Sequence, residues 1–219
     1  TDFSRYSIGF NYFDQDGMMP YTNYTRYTVR ANTEFKIKEK IRIGENLQVG
    51  YNEFRGTNSG AGGGESLVLN SVRLMPFIPV HDIKGGWGGT AGSGAGTASN
   101  TPAELYRAKD NVNNAVRMFG NVFAEVDVVS GLTARTSFGL DYETRYGQNY
   151  GFRTYERAEN IGSNSYTEQN DWNLNWTWTN TLTYQKQFAD IHNVTIFAAD
   201  VKWMNEFMSG QDTGIQWVV

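Results

Sequence analysis

Residues 172–185 read WNLNWTWTNTLTYQ: Trp172, Leu174, Trp176, Trp178, Leu182 and Tyr184 share one parity, and only Asn180 departs from it. The other parity holds Asn173, Asn175, Thr177, Thr179, Thr181, Thr183 and Gln185. A strand sends successive side chains to opposite faces, so a period of two builds one apolar wall and one polar wall. Fourteen residues at about 3.3 Å each reach roughly 45 Å, more than twice an ordinary globular strand. The chain is therefore expected to line something thick.

Six more segments carry the alternation. They are Tyr6–Tyr12, Tyr27–Ile37, Ile41–Tyr51, Val116–Val128, Leu132–Tyr146 and Val194–Met204. Glu45 and Glu53 fall on an apolar parity, and Phe119 and Phe123 on a polar one. The last segment, VTIFAADVKWM, is mixed on both faces, which predicts a bulge near Ala198–Asp200. The opposite parity carries full charges of both signs, among them Arg30, Glu34, Arg117, Glu125, Asp127, Arg135, Asp141, Glu143 and Arg145.

The connections sort into two kinds. Lys38–Lys40, Ser130–Gly131 and Ala189–Ile191 have the length of tight hairpins. About Asp14 to Arg26, Arg55 to Ala115 and Gly151 to Asp171 are long. Short turns alternating with long loops are the asymmetry of an outer-membrane barrel, tight on the periplasmic side and large outside. The longest apolar run, Leu74–Val80, holds two prolines and falls far short of the roughly 20 residues a membrane helix needs. A closed barrel is the other way to cross a bilayer. Its lipid wall would be the tryptophan stripe, with Trp172, Trp176, Trp178, Tyr142 and Tyr146 as the amphipathic rings that collect at bilayer interfaces.

Function classes narrow in the same way. Cysteine is absent, so neither a disulfide framework nor a thiolate metal site is available. A net charge of −4, from 19 basic and 23 acidic residues, offers no track for nucleic acid. Asp14, Asp16 and Gly17 in DQDG have the start of a calcium loop, but no further acidic ligand follows at the right spacing, and a turn at a strand end is expected. His81 with Asp82, and His192, lack any HExxH-like spacing and read as solvent-facing loop histidines. There is no GxSxG. GAGGGE (60–65) and GGWGGTAGSGAG (85–96) lack the lysine of a phosphate-cradling loop and read as flexible loop. No catalytic residue, metal or cofactor is assigned.

In order along the chain, YSIGFNYFDQDGMM (6–19), NYTRYTVRANTEFKI (23–37), IRIGENLQVGY (41–51), RLMPFIPVHDIKGGWGG (73–89) and RMFGNVFAEVDVVSGLTARTSFGLDY (117–142) resemble the SusC/RagA-like TonB-linked outer-membrane transporters of Bacteroidetes. The similarity continues more loosely through residues 172–185. It implies an all-β fold: a 22-stranded transmembrane barrel closed by an N-terminal plug, integral to the Gram-negative outer membrane. It further implies active import of oligosaccharides or oligopeptides, with a SusD-like surface lipoprotein as lid, the TonB complex as energy source, membrane lipid and lipopolysaccharide as surroundings, and a dimer of transporter–lid pairs. Neither plug nor TonB box is visible in residues 1–219. Seven strands are fewer than the eight of the smallest closed barrels, so the chain is expected to be a partial barrel from the early strands, with 55–115 as a long extracellular loop.

Within that loop, SLVLNSVRLMPFIPV has the makings of a short helix stopped by Pro76, and Trp87 stands between two glycine pairs. An indole stacks on a sugar face or anchors a partner, and equally packs a loop together. Trp87, with Arg153, Tyr155 and Tyr166 in the other long loop, are the expected substrate or lid contacts. Two rival readings remain: a secreted or surface β-sandwich binding glycans, which requires a second layer over the tryptophan stripe, and a barrel enzyme, which requires a Ser/His pair converging at the rim.

Overall fold

The computed structural model describes residues 3–38, 40–57, 67–188 and 192–212. The GAGGGE stretch, the turn at Ala189–Ile191, Glu39 of the KEK turn and the side chain of His192 lie outside the described residues. Seven strands, β1 (Ser4–Asp16), β2 (Asn23–Ile37), β3 (Ile41–Arg55), β4 (Val112–Val129), β5 (Leu132–Gly151), β6 (Ser165–Phe188) and β7 (His192–Asp212), form one antiparallel sheet in chain order. β1 and β7 are its two edges, so the sheet is open. Two short helices, α1 (Leu67–Arg73) and α2 (Thr101–Arg107), lie between β3 and β4. No helix among the described residues is long and apolar enough to cross a membrane.

Register turns the sequence parity into two continuous walls. One lateral row joins Tyr12, Tyr27, Tyr51, Val116, Thr144 and Trp172; two rows on, Ile8, Ala31, Leu47, Gly120, Leu140 and Trp176 are aligned. Rings meet within and between rows, Tyr12 and Tyr27 laterally at 5.1 Å and Phe138 and Trp176 diagonally at 6.0 Å between centroids. No described residue covers this wall: Ile8 is 74% exposed, Val29 47% and Trp178 43%. Large apolar side chains left open in a continuous wall call for an apolar solvent. The second layer that a β-sandwich needs is absent among the described residues.

The reverse wall is polar and cross-linked. Arg42 pairs with Glu125, Arg117 with Asp141 at 2.7 Å and Arg145 with Glu143 at 2.9 Å. Two hollows in the sheet, of about 800 and 500 Å³, are lined chiefly by this polar parity. Phe123, which breaks the polar parity, lies over Gly44, where a Cβ would meet its ring at 2.5 Å. The guanidinium of Arg135 stacks over that ring, 4.3 Å from its centre. An aromatic covering a cross-strand glycine restores the contact that the missing side chain forfeits.

The structure corrects four expectations. The first link is 17–22, shorter than the Asp14–Arg26 stretch, because Asp14 and Asp16 remain in β1 and accept hydrogen bonds from Asn23 and Thr25 of β2. The third link shrinks to 152–164, since β5 and β6 continue pairing outward through Gly151 and Ser165. β6 thus has 24 residues, roughly 80 Å of strand, far more than a tilted strand needs to cross an apolar band about 25 Å tall. Finally, no bulge interrupts β7 near Ala198–Asp200; it pairs one to one with β6 from His192 to Asp212, and the register shift lies at Asp127/Val129 beside the tight Ser130–Gly131 turn instead. Unbroken hydrogen bonding to β6 wins over side-chain parity. Asp200 and Lys202 therefore share the tryptophan face, with the Lys202 ammonium 5.5 Å from the Trp178 ring centre, and Phe197, Val201 and Trp203 turn to the polar face.

Candidate functional site

The three long connections leave the same end of the sheet and build a cap there. Gly56 donates its N–H to the Asn111 carbonyl at 2.9 Å, closing the base of the 56–111 loop. α1 ends at Arg73, three residues before Pro76, as the loss of helical backbone ahead of a proline requires. α2 went unrecognised in the sequence although its start is written there: Asn100 accepts from the Ala103 N–H as N-cap, and Pro102 sits in the first turn. Helices of seven residues do not stand alone, and these two are tied by Ser71 Oγ donating to Thr101 Oγ1 at 2.8 Å and Thr101 Oγ1 to the Leu67 carbonyl at 3.1 Å.

Asn100 is the pivot. It is 1% exposed, and its amide nitrogen also donates to the Val80 and Gly88 carbonyls at 2.9 and 2.7 Å. That draws in the hairpin on which Trp87 sits, where His81 bridges to Trp87 and Asp82 Oδ1 accepts from the Lys84 and Gly86 N–H groups at 2.8 Å. The glycines flanking Trp87 are packed in place. A Cβ at Gly88 would overlap the Pro79 carbonyl oxygen, and one at Gly89 the Glu156 carbonyl oxygen. The flexible-loop reading of residues 85–89 is corrected accordingly.

The 152–164 loop is laced to this unit. Arg107 donates from both terminal nitrogens to the Glu156 carboxylate at 2.6 and 3.0 Å, with side chains 14% and 2% exposed. Burial opposes charge on Glu156, but the Arg107 guanidinium and the Tyr155 and Glu156 backbone N–H groups outweigh it and hold the carboxyl below its ordinary value. Ala91 donates to the Glu156 carbonyl at 3.0 Å, and Arg157 pairs with Glu104 at 2.8 Å.

Trp87 is half-buried. Its ring stacks on His81 at 4.6 Å and approaches Tyr106 at 5.6 Å, and its backbone N–H donates to the Tyr155 hydroxyl at 2.8 Å. Tyr21, from the 17–22 link, meets Tyr106 edge-on at 5.9 Å. The structure so brings Trp87 and Tyr155 together in one aromatic cluster and adds Tyr21, His81 and Tyr106, which the sequence reading did not gather. Tyr155 is 57% exposed. Arg153 is exposed at the foot of its loop, its backbone N–H donating to Asn164 Oδ1 at 2.9 Å. Tyr166 belongs to β6 rather than to a loop; its hydroxyl donates to Glu168 at 2.6 Å and its ring meets Tyr150 at 4.9 Å. No group of three or more His, Cys, Asp or Glu side chains converges among the described residues.

No family model matches the chain. It is 26% identical over 200 residues to TonB-dependent receptor P3 of Formosa agariphila, covering 90% of this chain and 20% of that protein. It is 21% identical over 215 residues to TonB-dependent receptor P26 of the same organism, covering 96% of this chain and 21% of that protein. The chain spans about a fifth of the length of the curated relatives it matches. Among solved structures, it superposes on the RagAB peptide transporter with a TM-score of 0.68 at 20% identity, over 95% of this chain and 27% of that one. On the RagAB peptide importer in its open-open state the TM-score is 0.70 at 23% identity, over 94% of this chain and 24% of that one. The resemblance to TonB-linked outer-membrane receptors holds in both sequence and fold, and the chain is a stretch of the wall of an integral outer-membrane β-barrel.

Proposed function

We propose that residues 1–219 form part of the barrel of a TonB-dependent importer of oligosaccharides or oligopeptides that works with a SusD-like surface lipoprotein. In this reading the plug and TonB box belong to other parts of the protein, 55–115 is an extracellular loop, and lipid and lipopolysaccharide surround the apolar wall. The single observation that supports it most is the one-layer sheet, with an uncovered apolar wall on one side and a hollowed, charge-paired wall on the other. A wall of this kind separates hydrocarbon from a watery lumen or a plug. The chain's relatives bear the names of receptors and transporters, which favours binding and passage over covalent chemistry.

The cap is the surface for lid or cargo. Trp87 and Tyr155 form its aromatic face, with Arg153 at the foot of the 152–164 loop and Tyr166 on β6. The structural relatives are described as peptide transporters and favour a peptide cargo; the stacked rings suit a sugar face equally well. The test is excision of residues 57–110 from the full-length receptor, since Gly56 and Asn111 already meet and a short linker closes the gap. Assembly in the outer membrane is expected to persist while co-purification of lipoprotein and ligand in detergent, read by mass spectrometry, is lost. Unchanged capture after the excision refutes a functional cap.

A further inference from the structure

The polar wall treats its arginines unequally. Arg42, Arg117, Arg135 and Arg145 each meet a carboxylate of a neighbouring strand or of their own. Arg26 and Arg30, both exposed on β2, meet none among the described residues; Arg26 has only the Phe13 ring, at 5.5 Å. The two guanidiniums border the hollow of about 800 Å³, a volume within the range of small-molecule sites. Its floor is opened by two glycines: Gly9 is paired with Arg30, and Gly50 with the buried Thr28 that separates the two arginines. A Cβ at Gly9 would meet nothing within 4 Å, so the space is free. Asn11, Gln48 and Asn52 supply neutral donors and acceptors around it.

We infer that this hollow binds an acidic oligomer in transit, one bearing carboxylates or similar oxyanions on separate units. Guanidinium forks fit planar oxyanions with two parallel hydrogen bonds. Arg26 and Arg30 are four residues apart on one strand, so their Cα atoms stand about 13 Å apart. An oligomer of two to four units with an acid on each matches that spacing with one carboxylate to each guanidinium. Arg5, at the start of β1, also meets no carboxylate among the described residues but does not border this hollow; Arg26 and Arg30 face an open, glycine-floored space, which is the complement of a ligand that brings its own charge. The inference rests on the import reading and names the chemistry of the cargo.

The test uses full-length receptor in detergent and two pairs of probes. Tetragalacturonate against maltotetraose reads a saccharide source of carboxylates, and tetraglutamate against tetraglutamine a peptide source. Calorimetry is expected to show one acidic tetramer preferred over its neutral counterpart, and the double variant Arg26→Gln/Arg30→Gln to lose about tenfold or more in affinity for it. Added salt weakens the acidic probe selectively. Equal binding of acidic and neutral probes, or a preference that survives the double variant, overturns the inference. So does a double variant that leaves the acidic preference intact but melts at lower temperature, because the arginines would then be holding an acidic residue of the plug. Failure of the import reading shows separately, as uptake in cells that is indifferent to the proton gradient.

Discussion

The sheet and the cap above it are stabilised in opposite ways. Among the described residues, every buried side chain but Thr28 lies outside the strands, in the links and short helices of the cap. The sheet buries almost nothing within the chain and leaves its apolar wall for the bilayer. The cap owns a small core of Leu67, Ala98, Ala103 and Leu105, surrounded by Asn100, Thr90, Thr101 and Glu156. One region depends on the solvent around it and the other on its own polar network, so a change harmful to one should spare the other.

The largest test of that division is Glu156→Ala, which strands the Arg107 guanidinium. Removing one partner of a buried pair costs about 3–5 kcal/mol. Hydrogen exchange by mass spectrometry is expected to show lost protection across 80–108, with β4–β6 unchanged; equal loss in the strands would mean cap and sheet are one cooperative unit. Trp176→Arg attacks the other side. A charge on the lipid wall costs about 2–4 kcal/mol, so the fraction of receptor resisting heat in SDS should fall. Arg135→Gln, on the polar face and 43% exposed, serves as the control and should leave that fraction intact. If both changes are tolerated equally, the faces are wrongly assigned.

A smaller effect follows from Asn100→Ala, which uncaps α2, leaves the Gly88 carbonyl without its donor and the Val80 carbonyl with the Gly88 N–H alone. About 1–3 kcal/mol of cap stability is expected to go, read as faster protease cleavage in residues 80–100. The smallest is the response to acid. Because Glu156 is held below its ordinary value, its contribution is complete above about pH 4.3, the unfolded value, and disappears as pH falls through the lower folded one. Hydroxyl-radical footprinting of Trp87 should rise over that window in the native receptor and stay flat in Glu156→Ala.

Much of the sheet was legible from residues alone. Parity named the two walls from Tyr6 to Tyr184, and the tight turns fixed the end at which strands reverse, with Gly131 supplying the left-handed φ of 83°. Alternation is a local property, imposed on each strand by its own solvent, so it survives in one dimension. The site was less legible. Trp87 and Tyr155 were named, but Arg107 and Glu156, which position the loops that carry them, are 49 residues apart and belong to no periodic pattern.

What tertiary structure alone decided is where local preference gave no answer or gave the wrong one. β7 is mixed on both faces, so its parity carries no instruction, and the backbone hydrogen bonds of β6 set its register without a bulge. The outward growth of β5 and β6, the ring of Phe123 over Gly44 and the open pair Arg26 and Arg30 likewise depend on neighbours brought together across the sheet. Sequence reports which solvent each side chain prefers; only the assembled strands report which side chain stands next to it.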